Sequence, residues 1–316
     1  MKILFLLLSS GPSHILEGIH PVKGLKKLGI NATMNYPALG IKPGFDDPDY
    51  VFCLKPRESD ELILRYKRQG AKIALIMDDE TLPVERMKIY DFLVTASISG
   101  QKYFQKIYSQ PCYLFKEEWD YFISEKRHVD TENPTCVTMG FHENLKKHLT
   151  DIIIREIKSV YQDFTAITNN SAIARQWCKD FRIEYKEFPK SSIPSEYSKT
   201  IIDLLSTFDV GIITQYAWNI GRSSNRLKAM LYAGLPVIAM NTENHANVWF
   251  NNAGEKVFLV KKPEDWKNFL IELKSKEKRQ EITDYNLDLV RKNGGVIKSA
   301  ESFLEAIQDF EKGKIK

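Results

Sequence analysis

No stretch of the 316-residue chain approaches the roughly 18 to 20 consecutive apolar residues that a bilayer-spanning helix needs, so any membrane association is peripheral. The apolar opening Ile3–Leu8 is short and no small-residue cleavage pattern follows it, so it reads as a first buried strand and not as a leader. Cysteine is scarce. The four that occur, Cys53, Cys112, Cys136 and Cys178, are widely spaced and mostly lie in apolar runs, which argues against a disulfide framework and for reduced core thiols in a cytoplasmic protein. Metal-ligand spacings are missing too, so no metal site is expected. Charge of one sign is not in excess: a net +4 over this length, with no dense basic stripe interleaved with aromatics, disfavours a nucleic-acid partner. It remains compatible with an anionic ligand or membrane surface. Internal repeats and low-complexity tracts are absent.

What is present is enough apolar material, 43% of residues, to bury two cores, and a chain of this length holds two domains of ordinary size. Short apolar runs alternate with helical patterns throughout. In the first half, strands are expected at Tyr50–Leu54, Ala71–Ile76, Tyr90–Ala96 and Pro111–Phe115, with helices over residues 15–28, 59–68 and 100–107. The charged, aliphatic-poor stretch Glu117–Pro134 marks a boundary. Beyond it, strands are expected at Cys136–Met139, Phe164–Ile167, Glu184–Phe188, Val210–Thr214, Val237–Ala239 and Lys256–Val260, then helices over residues 263–293 and Ile297–Phe310. Alternating strands and helices give right-handed parallel units, so the fold class is α/β with two Rossmann-like parallel-sheet domains. Their strand ends would face a common cleft.

Residues 208–239 form the densest unit, with two buried strands, a polar loop, and a helix that Ser223 or Ser224 is placed to cap and that Gly234 and Pro236 end. A helix opening beyond the carboxyl end of a parallel strand directs free N–H groups and its positive dipole end into the ligand crevice. Arg222 and Arg226 flank this start, and an arginine fork of donors suits phosphate oxygens. An ordinary capped helix with two solvated arginines fits the same spacing.

The run Ser224-Asn225-Arg226-Leu227, followed by Ala229-Met230 and by Ala233-Gly234-Leu235-Pro236-Val237-Ile238, resembles the donor-site helix of GT-B glycosyltransferases of the glycosyltransferase 4-like (glycosyl transferases group 1) superfamily. Upstream, Ile201–Val210 is similar to the helix and strand before that site, and Cys136–Lys147 to the first strand and loop of the nucleotide-binding domain. Many members carry a glutamate, seven residues and a second glutamate that binds the donor ribose. Here Ile220 and Lys228 occupy those positions, so the usual pair is lacking. The resemblance implies residues 1–130 as an acceptor domain, 131–295 as a donor-binding domain, and 296–316 as a closing helix that crosses back to pack on the N-terminal domain.

It further implies transfer of a sugar from a nucleotide-activated donor to a hydroxyl acceptor, metal-independent and retaining, with no cofactor besides the donor substrate. Donor contacts would come from Gly11, Gly140, Lys146 (with Lys147 as fallback), Arg222, Ser224, Asn225 and Arg226, with Glu243 replacing the missing ribose carboxylate. His14 has the chemistry of a general base should the enzyme invert, and otherwise reads as a helix-start histidine bonded to water. Asp78 and Asp79, in the run KIALIMDDE, could orient an acceptor or act as base; equally, they could cap a helix running through Met87. Lys23, Lys26 and Lys27 offer a basic face for peripheral contact with the inner face of an anionic membrane, or a solvated helix end. Two further classes stay open: a sugar-nucleotide epimerase on the same fold, and a catalytically degenerate binding module.

Overall fold

The computed structural model describes residues 1–7, 12–37, 40–54, 60–77, 81–189, 194–214 and 223–314. Its contacts divide the chain into two compact units, one of residues 1–119, 219–223 and 294–316 and the other of residues 120–218 and 224–293.

In the first unit, β1 (Lys2–Leu6) leads to a helical turn α1 (Pro12–His14), a π-helical turn at Ile15–Ile19, and α2 (His20–Lys27). Then come β2 (Asn31–Asn35), β3 (Tyr50–Leu54), α3 (Asp60–Arg68), β4 (Lys72–Met77), α4 (Val84–Met87), β5 (Phe92–Thr95), α5 (Ile98–Ile107) and β6 (Cys112–Leu114). The six strands form one sheet in the order β2-β1-β3-β4-β5-β6, with every pair parallel. Strands such as β3 read as unbroken apolar runs because helices cover both sheet faces and all five of its residues are buried. β2 was not foreseen. Its sequence, NATMN, has no apolar run, and as an edge strand it is held by backbone pairing with β1 from Lys2↔Asn31 to Leu6↔Asn35.

The helix expected from Asp78 through Met87 is also corrected. Among the described residues of that span, 81–87, only Val84–Met87 is helical: Pro83 stands extended at φ −55°, ψ 137° as N-cap, and a proline disfavours the helical region for the residue before it, Leu82.

In the second unit, β7 (Cys136–Met139) is followed by α6 (His142–His148), α7 (Asp151–Val160), β8 (Phe164–Thr168), α8 (Ala172–Asp180), β9 (Glu184–Glu187), α9 (Pro194–Ser206) and β10 (Val210–Ile213). The chain continues through α10 (Asn225–Tyr232), β11 (Val237–Met240), α11 (Glu243–Ala246), β12 (Val257–Val260), α12 (Pro263–Glu272) and α13 (Lys276–Asn293). The sheet order is β12-β11-β10-β7-β8-β9, again all parallel. Gly234, at φ +66°, closes α10: its N–H donates to Leu231 O at 3.0 Å and the Leu235 N–H to Met230 O at 2.9 Å, the paired bonds of a Schellman stop.

The last helix, α14 (Val296–Glu311), belongs to the first unit. Its Phe303 ring lies 5.4 Å from Phe5, 5.1 Å from Phe52 and 4.7 Å from Phe115, completing the core on that sheet face. It also lies against α2 so closely that a Cβ on Gly24 would stand 2.0 Å from Val296 O, an approach only glycine permits.

Candidate functional site

The second sheet reverses its strand order between two neighbours. From β7 the chain moves outward to β8 and β9, and from β10 it moves the opposite way to β11 and β12. At such a switch point the connections leave in opposite directions, so a crevice opens beyond the carboxyl ends of the two strands. Gly140 lies at one of those ends and the start of α10 follows the other.

Arg226, half-buried in the first turn of α10, reaches across the crevice floor. Its Nη1 donates to Met139 O at 3.3 Å, and it rests on Gly140, where a Cβ would meet Nη1 at 2.8 Å. The absent side chain at Gly140 is therefore what admits the guanidinium. Asn225 is the first residue of α10. Ser224 takes the N-cap position, but its hydroxyl does not cap: it donates to Val248 O at 3.4 Å, so the first-turn N–H groups of α10 receive no hydrogen bond from it. This corrects the capping expected of Ser224.

The turn after β11 closes over the same helix start. Thr242 caps α11, accepting from the His245 N–H at 3.1 Å, while Glu243 lies exposed in the first turn. His245 is 5% exposed, and its Nδ1 lies 2.8 Å from Met240 O. A carbonyl only accepts, so Nδ1 carries the proton. Burial, opposed by that hydrogen bond and reinforced by the charge of Arg226, pushes the imidazole down to about 4. The ring is therefore neutral at physiological pH, with the lone pair on Nε2, and among the described residues Nε2 makes no hydrogen bond.

His245 was not singled out from the sequence. The one signal was its place three residues after the capping Thr242, which turns it inward.

Lys228, at the position matching the second glutamate, is buried on α10 at 2% exposure, with Nζ 5.9 Å from the ring centroid of Phe250. Lys146 and Lys147 are exposed in the last turn of α6, away from its opening at the end of β7. Of the residues proposed for the donor, the structure brings Gly140 and Arg226 into contact and places Ser224 and Asn225 at the same helix start. Gly11, Asp78, Asp79 and Arg222 lie outside the described residues.

In the first unit, the corresponding switch point lies between β1 and β3. His14 follows β1 at the end of α1, is 4% exposed, and stacks on Tyr36 with centroids 5.9 Å apart and rings 20° from parallel. Burial raises the Tyr36 hydroxyl above its ordinary value. Lys23, Lys26 and Lys27 are exposed on α2. Among the described residues no cluster of three or more His, Cys, Asp or Glu side chains is placed to hold a metal ion, and no helix is long and apolar enough to cross a membrane.

No protein-family model matches the chain, and no curated protein matches it in sequence. Solved structures match its fold over nearly its whole length. HepE of Anabaena, in complex with UDP and glucose, superposes with a TM-score of 0.63 at 12% identity over 98% of this chain and 99% of that one. A glycosyltransferase of Rickettsia africae gives 0.67 at 14%, covering 98% of each. The fold is that of the GT-B glycosyltransferases. An O-GlcNAc transferase of Thermobaculum terrenum gives 0.66 at 10% identity, over all of this chain and 68% of that one.

Proposed function

We propose that the chain is a glycosyltransferase that moves a sugar from a nucleotide-activated donor to a hydroxyl acceptor. The observation that carries this reading is Arg226, spread over Gly140 at the switch point where α10 begins. During transfer the bond from the anomeric carbon to the leaving phosphate oxygen breaks while one to the acceptor oxygen forms, and negative charge grows on the departing diphosphate. A fixed guanidinium and the positive end of a helix meet that charge without reorganising. In this proposal these groups do the work without a metal. The hydroxyl proton passes to the leaving phosphate on the same face, so the anomeric configuration is retained. Peripheral contact with an anionic membrane through Lys23, Lys26 and Lys27 belongs to the same proposal.

HepE has been captured with UDP and with UDP-glucose, so uridine compounds come first in the test. Calorimetric titration with a panel of nucleoside diphosphates is expected to show binding to at least one of them; no binding to any would sink the donor site. The buried Lys228 favours a second reading, a module that holds a nucleotide sugar without transferring it. Binding without turnover across hydroxyl acceptors would carry that reading, and donor turnover without any acceptor would make the chain an epimerase.

A further inference from the structure

Among the described residues, Arg226 and the start of α10 turn donors toward the crevice beyond β7 and β10. Arg226 brings only N–H groups, and the start of α10 adds backbone N–H groups that Ser224 leaves uncapped. Three carbonyls near that helix start already accept hydrogen bonds: Met139 O from the Arg226 guanidinium, Met240 O from the His245 ring, and Val248 O from the Ser224 hydroxyl. His245 adds a further acceptor. Its ring is nine-tenths buried, its Nδ1–H is committed to Met240 O, and its Nε2 lone pair has no partner among the described residues.

A diphosphate cannot use that atom, since both would be acceptors, whereas a sugar hydroxyl can donate to it while its own oxygen stays available to the surrounding donors. Resting on the donor reading above, we propose that His245 is a specificity-determining residue whose Nε2 accepts a hydrogen bond from a hydroxyl of the nucleotide sugar, on the ribose or on the transferred sugar. Position supports the pairing. The 242–249 turn is tied to α10 through Ser224 and Val248, and the His245 ring lies close enough to Arg226 to feel its charge. A ligand whose phosphates lie on Arg226 therefore brings its sugars to the same turn. His245 serves here as a neutral acceptor in place of the carboxylate that Lys228 has displaced.

The test compares wild type with His245→Phe, which keeps a ring of similar shape without a lone pair. Titrations use a ribonucleoside diphosphate, its 2′-deoxy and 3′-deoxy forms, and the corresponding nucleotide sugar. One neutral hydrogen bond is worth about a three- to tenfold change in affinity. If the ribose donates, wild type prefers the ribonucleotide over a deoxy form by that factor and His245→Phe abolishes the preference. If the transferred sugar donates, the advantage of the nucleotide sugar over the diphosphate is lost instead. Both preferences unchanged in a folded His245→Phe, or lost in Glu243→Gln and kept in His245→Phe, would overturn the proposal.

Nitrogen NMR of the imidazole in wild type tests the same hydrogen bond without a variant. Nε2 is expected as a bare nitrogen whose resonance moves when the hydroxyl-bearing ligand is added, and an unmoved resonance at saturation overturns the assignment. Wild type that binds no nucleotide would overturn the donor reading itself, an outcome distinct from either of these.

Discussion

Replacing Gly140 by alanine isolates the donor contact from the fold. The new Cβ would stand 2.8 Å from Arg226 Nη1 and 3.3 Å from Leu145 Cδ2. Ordinary contact needs roughly half an ångström more than the first of these distances. The guanidinium must withdraw, and its 3.3 Å bond to Met139 O stretches beyond the roughly 3.6 Å at which it ceases to count as a hydrogen bond. What gives way is the far end of a flexible side chain, and Gly140 is not among the positive-φ glycines. Gly140→Ala should therefore change folding stability by no more than about 1 kcal/mol, and loss of unfolded-state entropy can even favour it. Affinity should respond much more. A charge-assisted bond is worth about 1.5 to 3 kcal/mol, so Arg226→Ala should weaken nucleoside diphosphate binding by roughly ten- to a hundredfold, and Gly140→Ala alone should show part of that loss. Because both changes act on one guanidinium, the double variant should bind no worse than Arg226→Ala alone. Calorimetry, with urea unfolding as the control, makes the measurement. Unaltered affinity in Gly140→Ala alongside a large loss in Arg226→Ala, or losses that simply add, would refute the placement of the guanidinium over Gly140.

Three further outcomes follow from groups outside the crevice. Burial alone would raise Asp209, but hydrogen bonds from His128 and Thr135 and the nearby Arg279 outweigh it and hold the carboxyl at about 2; the stability this contributes is complete above the unfolded value near 3.8 and is lost as pH falls toward 2. Urea unfolding should show about 2 kcal/mol of acid-linked loss in wild type and much less in Asp209→Asn. Burial, with Arg279 adding to it and Asp209 opposing it, lowers the Lys126 ammonium to about 8, below its unfolded value of 10.5, so stability should rise between those two pH values in wild type and the rise should be missing in Lys126→Met. Gly24→Ala would set a Cβ 2.0 Å from Val296 O and 2.8 Å from Ala300 Cβ; because backbone cannot step aside as a side chain can, α2 and α14 must part, at about 1 to 3 kcal/mol or more by denaturant unfolding.

The elements and the site were legible in the sequence to different depths, for physical reasons. β3, β7 and β10 stand out as apolar runs because both faces of a parallel strand are covered, so the burial demand is written into every residue. The Gly234 stop of α10 is local chemistry, a left-handed residue where a helix must end, and it too can be read directly. β2 escapes because an edge strand draws its order from the backbone of β1, which leaves no mark on side-chain pattern. The hydroxyl of Ser224 illustrates a second limit: its sequence position specifies the N-cap, but the choice between a first-turn N–H and Val248 O is made by a segment 24 residues away. Arg226 over Gly140 and His245 beside Arg226 depend on topology in the same way, since the β7–β10 and β10–β11 pairings bring their elements together. The proton state of His245 lies deeper still. It follows from burial and from a neighbouring charge, neither of which is a property of the residue itself, and so a histidine that reads as ordinary in the chain becomes a fixed neutral acceptor in the folded site.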